Sequence, residues 1–328
     1  MEPKNILQVA QLAGVSRSTV SRAFNDGYVS EEVRKRIDEA VKKLGYRQNM
    51  LAKKLRTSES NFIGLIIPDI SNEFFAKLAK SIESPFQSQG YGLFLCNSEE
   101  DPTIEDFYIN NLLDNRVEAI ILTPASKAAN PRLAKSDVPI VLADRSYERM
   151  PSDRFAVVTS DNFGGGTIAA TRIIDSGCRR LIVMSDVKES SSSLIARLEG
   201  FSKRIEGSSI DVAHYKVPVA IKDAERLTTM LLGERKFDTI FCSSDLIAFG
   251  AMKALLSAKV RIPGDIQVIG FDGLDLGEFL QISLSTVKQD VEGMGAAIGA
   301  TVLDMIHGKS FKQHTVLPVE FLERGSSR

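Results

Sequence analysis

Two sets of residues combine types and spacing that suit recognition chemistry. The first is Ser16-Arg17-Ser18-Thr19-Val20-Ser21-Arg22, a run without an acid. If it is a short helix with Val20 and Phe24 turned inward, Arg17, Ser18, Ser21 and Arg22 face outward. A guanidinium can bond O6 and N7 of guanine together, so Arg17 and Arg22 are candidates for reading base edges. Thr19 and Ser21 suit phosphate oxygens, contacts that position without specifying. Ser16 suits the N-cap, and Asn25, at the turn Asn25-Asp26-Gly27, completes the candidate DNA-contacting set. The competing reading is a three-helix bundle with a solvated basic face. It does not explain why this face lacks acids while the next helical stretch holds Glu31, Glu32, Asp38 and Glu39.

The second set follows apolar runs: Asp69, Asp144-Arg145, Asp161-Asn162, Ser244-Asp245, Asp272 and Gln289, with Arg197 on the outward side of the stretch SSSLIARLEGF. Ligands of parallel sheets bind beyond the carboxyl ends of strands. Carboxylates, a guanidinium and amides gathered there suit a polyhydroxyl ligand, because each hydroxyl both donates and accepts. Phe74 and Phe75 suit the apolar face of a sugar. Taken singly, each strand-end residue reads as turn or cap chemistry, and Asp161 and Asp245 read as helix caps. The joint arrangement of Asp144, Arg197 and Asp272 favours an effector site.

The elements that must hold these residues are legible in the apolar periodicity. Ile6, Val9, Ala10 and Ala13 recur at helical spacing, and Gly14 suits a left-handed turn. A third helix runs from the cap Ser30 to the stop Gly45, with an apolar stripe of Val33, Ile37, Ala40, Val41 and Leu44. These three helices make a helix-turn-helix head over residues 1–48. Residues 49–60 read as a hinge: Asn49 caps a short basic helix from Met50 to Arg56, with Leu51 and Leu55 four apart among Lys53, Lys54 and Arg56. A helix this short is marginal alone and suits folding on DNA, with a leucine wedged into the minor groove. A flexible charged linker is the bland alternative.

Beyond residue 60, short apolar runs alternate with helical patterns, which indicates doubly wound parallel sheets. The runs are Phe62–Ile67, Tyr91–Cys96, Val117–Leu122 and Pro139–Ala143, then a second series of Ala156–Thr159, Leu181–Met184, Thr239–Cys242 and Gln267–Phe271. Helical stretches lie near 73–89, 103–115, 163–175, 191–205, 222–232 and 246–257. The alternation in TVLPVEFLER suits a final strand. Two series suggest two similar subdomains with a cleft between them.

The net charge of -1 conceals an asymmetry. Twelve Lys/Arg face seven Asp/Glu up to residue 60, and 29 face 35 beyond it, against chain totals of 41 and 42. A basic head on an acidic body points to a polyanionic partner for the head alone. Cys96, Cys178 and Cys242 are three widely spaced cysteines in or beside apolar runs, read as core residues in a reducing compartment. No apolar leader follows Met1 and no run reaches the length of a membrane span, so a cytoplasmic protein without a membrane partner is expected.

The stretches VAQLAGVSRSTVSR, YVSEEVRKRI, LGYR and NMLAKKLR resemble the head and hinge of the lactose-repressor/galactose-repressor (LacI/GalR) family of bacterial transcription regulators. The resemblance continues through IGLIIPDISNEFFA, DNRVEAIIL, SSDLIAFGAMKAL, IPGDIQVIGFD and LSTVKQD. It implies an α/β fold with a periplasmic-binding-protein-like body, divided roughly into 61–160 with 289–319 and 161–288 with 320–328. It implies a homodimer on a near-palindromic operator, with Leu55 inserted at its centre. Phe75, Asp144, Arg197, Ser244, Asp272 and Gln289 match effector positions of the family. Ser244 departs from an asparagine common there, and Gln8 from a common acid.

The expected function is a ligand-responsive regulator, most readily a repressor of carbohydrate-utilisation genes, with no cofactor or metal. A sugar-binding transport component and a regulator answering to a nucleoside or sugar phosphate are the alternatives. An enzyme is disfavoured: Gly164-Gly165-Gly166 is not followed by Gly-Lys-Ser/Thr, the three histidines have no metal spacing, and Ser191-Ser192-Ser193 lacks a nearby catalytic histidine. The triple glycine suits close packing at a helix start, and the triple serine could hold a hydroxylated or anionic ligand. No leucine heptad supports a coiled-coil tetramer.

Overall fold

The computed structural model describes residues 5–24, 27–46, 60–150, 152, 154–188, 191–234 and 236–328. Its contacts divide the chain into two units, Met1–Ser60 and Asn61–Arg328. Asn25, Asn49, Lys54, Leu55 and the hinge helix expected over Met50 to Arg56 lie outside the described residues.

In the first unit Asn5 opens α1 (Ile6–Ala13) by a reciprocal cap. Its side chain accepts from the Leu7 and Gln8 amides, and Gln8 Oε1 accepts from the Asn5 amide at 3.1 Å. The departure at Gln8 is therefore structural: an amide closes the cap as an acid would. Gly14, at φ 64°, makes the left-handed turn into α2 (Arg17–Ala23). Ser30 caps α3 (Glu31–Leu44), whose first turn carries Glu31 and Glu32 and last turn Lys42 and Lys43, matching the helix dipole at both ends. Val9, Ala10, Ala13, Val20, Ala23, Ile37 and Ala40 form the core. Arg34 ties the connection by donating to the carbonyls of Ala23 and Gly27.

The second unit alternates strand and helix: β1 (Phe62–Ile67), α4 (Glu73–Ser88), β2 (Gly92–Asn97), α5 (Pro102–Asp114), β3 (Ala119–Leu122), α6 (Pro131–Lys135), β4 (Ile140–Ala143), β5 (Phe155–Ser160) and α7 (Asn162–Asp175). It continues through β6 (Arg180–Ser185), α8 (Ser192–Ile205), β7 (Asp211–Lys216), α9 (Ile221–Glu234), β8 (Thr239–Cys242), α10 (Asp245–Ser257) and β9 (Gln267–Asp272). A 3-10 turn (Asp275–Glu278), β10 (Ser285–Gln289), α11 (Val291–Ile306), β11 (His314–Leu317) and β12 (Val319–Leu322) complete it. One six-stranded sheet has the order β2-β1-β3-β4-β5-β11 and the other β7-β6-β8-β9-β10-β12. Pairing is parallel throughout except between β10 and β12. Strands buried on both faces read as continuous apolar runs, as in β3, β4 and β8.

Four differences from the sequence reading are physical. The run at Ala156–Thr159 does not begin the second series; as β5 it pairs with β4 and β11 in the first sheet. The single strand expected in TVLPVEFLER is two strands in different sheets, parted at Pro318, whose ring removes the amide a continuous ladder needs. Gln289 and Val319 both belong to the second sheet, whereas the expected division gave them to the first subdomain. Helix α11 had no counterpart in the periodicity, because Gly293, Gly295 and Gly299 lower its propensity. Those glycines serve packing: a Cβ on Gly295 would fall 2.1 Å from Ser81 Oγ of α4. Among the described residues no helix is long and apolar enough to cross a membrane.

Candidate functional site: a polar cleft and an exposed helix

On α2 the candidate DNA residues divide by what they are already bonded to. Arg17, Ser18 and Arg22 are exposed, while Thr19 and Ser21 are half-buried. Ser16 is the N-cap: its hydroxyl accepts from the Thr19 amide at 3.0 Å and meets Ser18 Oγ at 2.7 Å and Thr19 Oγ1 at 2.8 Å. Ser16 and Thr19 thus hold the start of the helix, and Arg17 and Arg22 extend from it. Val20 and Ala23 anchor the opposite face in the core.

In the larger unit, all nine candidate effector residues line one cavity of about 250 Å³: Asp69, Phe74, Phe75, Asp144, Arg145, Arg197, Ser244, Asp272 and Gln289. It sits where both sheets end. Asp69 follows β1, Asp144 follows β4, Ser244 follows β8, and Asp272 and Gln289 terminate β9 and β10.

Arg197 is the centre of the arrangement, and it is not on an outward, solvated side of α8. It is 6% exposed. Its guanidinium donates to Asn162 Oδ1 at 2.9 Å, to the Ser243 carbonyl, and to Asp272 Oδ1 at 3.5 Å. Its plane lies 3.4 Å from the centroid of Phe271, a desolvated cation–π contact worth about 2 kcal/mol. Close helix crossing puts it there. A Cβ on Gly166 of α7 would lie 1.9 Å from the Arg197 carbonyl, and one on Gly200 would lie 2.0 Å from the Phe163 carbonyl. Asn162, at the start of α7, is a guanidinium acceptor that the sequence reading had placed with helix caps. The neighbouring Asp161 does cap α7, accepting from the Gly164 amide.

Both carboxylates of the trio occupy backbone that L-residues rarely adopt: φ is 64° at Asp144 and 127° at Asp272. Gln289 Nε2 donates to Asp272 Oδ1 at 3.0 Å, and Ser193 Oγ donates to Asp144 Oδ2 at 3.3 Å. Burial, reinforced by Asp245 and Asp144, pushes Asp272 up to about 7 despite Arg197 beside it. Burial likewise raises Asp144 against the pull of Arg145 and Arg197. Burial pulls Arg197 down as well, yet a guanidinium keeps its proton, so the proton uptake belongs to the carboxyls.

Asp245 corrects a second expectation. Ser244, not Asp245, caps α10, accepting from the Leu246 amide. Asp245 turns into the core and accepts from the Gly273 amide at 2.9 Å, the Leu274 amide at 2.8 Å and Thr286 Oγ1 at 2.6 Å. It fixes the turn that carries Asp272. Arg145 is also engaged: it grips both oxygens of Glu100, at 2.8 and 2.7 Å. Glu100, Asp186, Lys188 and Ser193 line the cavity too. Ser193 belongs to the triple serine that the sequence offered as a ligand-holding stretch; Glu100 and Lys188 were missed because neither follows an apolar run closely enough to signal a strand end, and Asp186 was missed although it lies directly after β6.

Bonds join the two subdomains around the cleft. Lys188 Nζ donates to the Glu100 carbonyl at 3.1 Å, and the Ser146 amide to Ser192 Oγ at 2.8 Å. On another side, the Asp275 amide donates to Glu73 Oε1 at 2.9 Å and Lys77 bridges Glu73 and Asp275 at 2.9 and 2.6 Å. Phe74 and Phe75, both nearly buried, meet edge-to-face beside the cavity with centroids 5.2 Å apart.

Comparison with known proteins accords with this geometry. Residues 5–49 match the family of bacterial regulatory proteins, lacI family, and residues 170–327 match a periplasmic binding protein-like domain. A ribose operon repressor of Halalkalibacterium halodurans is 33% identical over 326 residues, covering 98% of this chain and 97% of the relative. A sucrose operon repressor of Streptococcus mutans is 31% identical and covers 97% of each. Among solved structures, the lac repressor dimer bound to operator and the anti-inducer ONPF superposes with a TM-score of 0.87 at 23% identity, covering 99% of both chains. A LacI-type regulator from Alkaliphilus metalliredigens complexed with D-xylulofuranose gives 0.72 at 29% identity, over 82% of this chain and all of that one. Full-length identity of this order, with an acid-free reading helix and a polar cleft in one chain, makes the protein a member of the lacI family of bacterial regulatory proteins, a DNA-binding regulator of transcription.

Proposed function

We propose that the protein represses carbohydrate-utilisation genes by binding a palindromic operator as a homodimer in the cytoplasm, and that a small sugar in the cleft sets how much of it binds. The observation that carries the effector half is the convergence of Asp144, Arg197 and Asp272 in one buried cavity. Such a cluster is costly to bury and is matched by a ligand that donates and accepts at adjacent atoms. Arg17, Ser18 and Arg22 choose the site, with the two arginines reading bases, Thr19 and Ser21 position the helix on the backbone, and Lys54 and Leu55 engage the operator centre. The body binds a ligand and performs no reaction.

The mechanism is a population shift. Ligand contacts on both subdomains favour the closed cleft, and closure alters the spacing at which the two chains of the dimer enter their heads. The ribose and sucrose operon repressors among the relatives support a sugar as effector. The test is a thermal-shift screen of sugars, followed by operator binding by fluorescence anisotropy. A sugar at a hundredfold its Kd should stabilise the protein by about 2.7 kcal/mol, raising Tm by roughly 5 °C, and should change operator affinity. A sugar that stabilises the protein but leaves operator affinity untouched would defeat the coupling.

A further inference from the structure

Resting on the sugar-effector reading above, we infer that the cleft admits an uncharged sugar and rejects its phosphate ester.

The charge inventory carries the exclusion. Five carboxylates line the cavity, from Asp69, Glu100, Asp144, Asp186 and Asp272, against the cations of Arg145, Lys188 and Arg197. Both guanidinium forks already face protein acceptors, and the exposed Lys188 ammonium spends one of its three donors on the protein. Arg145 grips Glu100 and donates to the Pro124 carbonyl, Lys188 donates to the Glu100 carbonyl, and Arg197 serves Asn162, Ser243 and Asp272. A phosphate ester brings a charge of about −1.5 to −2 at neutral pH and oxygens that only accept. Here it would meet an excess of carboxylates and no uncommitted guanidinium fork. The site already resists negative charge: burial raises Asp144 and Asp186, and lifts Asp272 to about 7.

The unpartnered atoms say what is wanted instead. Gln289 Oε1 is buried at the cavity and accepts no hydrogen bond. Arg145 Nε, 3.8 Å from Asp144 Oδ2, is buried without a bonded acceptor. An acceptor and a donor left open among carboxylates are satisfied by hydroxyls, which do both.

The experiment is isothermal titration of the full-length protein with matched pairs: D-ribose and ribose 5-phosphate, D-glucose and glucose 6-phosphate, and D-fructose and fructose 6-phosphate. A free monosaccharide should bind, and its phosphate should bind at least a hundredfold more weakly. A phosphate tighter than its parent overturns the inference and leaves the sugar reading standing. Silence across the whole panel overturns both. The double variant Asp69→Asn, Asp186→Asn removes two carboxylates without touching the Arg197 cluster. Discrimination against the phosphate should narrow by roughly tenfold or more in it. Unchanged discrimination would overturn the electrostatic account.

Discussion

On α2, Arg17, Ser18 and Arg22 are exposed, and the helix is held from behind by Val20 and Ala23. In the cleft, Arg197 is buried and its guanidinium is bonded to three residues before any ligand arrives. The same side-chain type therefore does opposite work. An exposed arginine can be changed without cost to the fold and contributes only when DNA is present. A buried one is part of the fold, so removing it tests stability and recognition together.

The largest effect should come from Arg197→Ala. It leaves buried Asn162 Oδ1 without its donor and buried Asp272 without its cation, and breaking a buried pair costs about 3–5 kcal/mol. Thermal unfolding of the body should fall by roughly 6 °C or more. Arg197→Lys should recover little, because an ammonium cannot reach Asn162, Ser243 and Asp272 at once. A variant of normal stability that has merely lost ligand binding would mean that the cleft is built like the exposed helix, from dispensable parts.

Next is a pH effect from Glu105, a buried carboxyl on α5 that accepts from the Ala125 amide at 2.6 Å. Burial pushes it from the ordinary 4.5 up to about 7. A carboxyl raised on folding is more protonated in the folded state. Its cost is therefore absent below pH 4.5, grows as pH rises, and is complete above about 7. Glu105→Gln keeps an acceptor for Ala125 and removes the charge. It should stabilise the protein by about 1–3 kcal/mol at pH 8 and leave it unchanged near pH 4.5. Denaturant melts at the two pH values check the sign; a loss at pH 8 would show that the carboxylate form is the one the fold needs.

Arg22→Ala should cost about 1–3 kcal/mol of operator affinity, about five- to 150-fold, with no change in Tm. Equal losses on operator and random duplex would assign Arg22 to the phosphates and not to a base.

The contrast also explains what the sequence made legible. The face of α2 was readable because exposure and helical spacing are local: Ser16, Val20 and Phe24 suffice to orient Arg17 and Arg22. The strand-end residues Asp144, Asp272 and Gln289 were readable because buried parallel strands announce their own ends. What depended on tertiary approach was not. Arg197 turns inward because Gly166 and Gly200 let α7 and α8 cross closely, and the triple glycine signalled close packing without naming its partner. Asp245 looked like a cap beside Ser244; only the fold shows that its acceptors serve Gly273, Leu274 and Thr286. Glu100 pairs with Arg145 across 45 residues, a distance over which periodicity carries no information.

Between the exposed helix and the buried cluster stand the half-exposed bonds that join the subdomains, and they offer the smallest and most diagnostic change. Lys77 bridges Glu73 and Asp275 with its side chain 36% exposed and that of Asp275 71% exposed. Ion pairs in such solvent contribute at most about 1 kcal/mol, so Lys77→Ala should leave global stability nearly unchanged. Its two arms lie on opposite subdomains, however, so whatever it contributes bears on closure. A ligand that binds the closed form should lose the same increment, about two- to fivefold in Kd, and the loss should shrink at high salt as the pair is screened. Lys77 does not line the cavity, so no direct contact is removed. A salt-dependent loss of ligand affinity at constant Tm would mark closure as an equilibrium that the rim sets. Unchanged affinity would leave the closed cleft to the Arg197 cluster and the bonds at Ser146 and Glu100 alone.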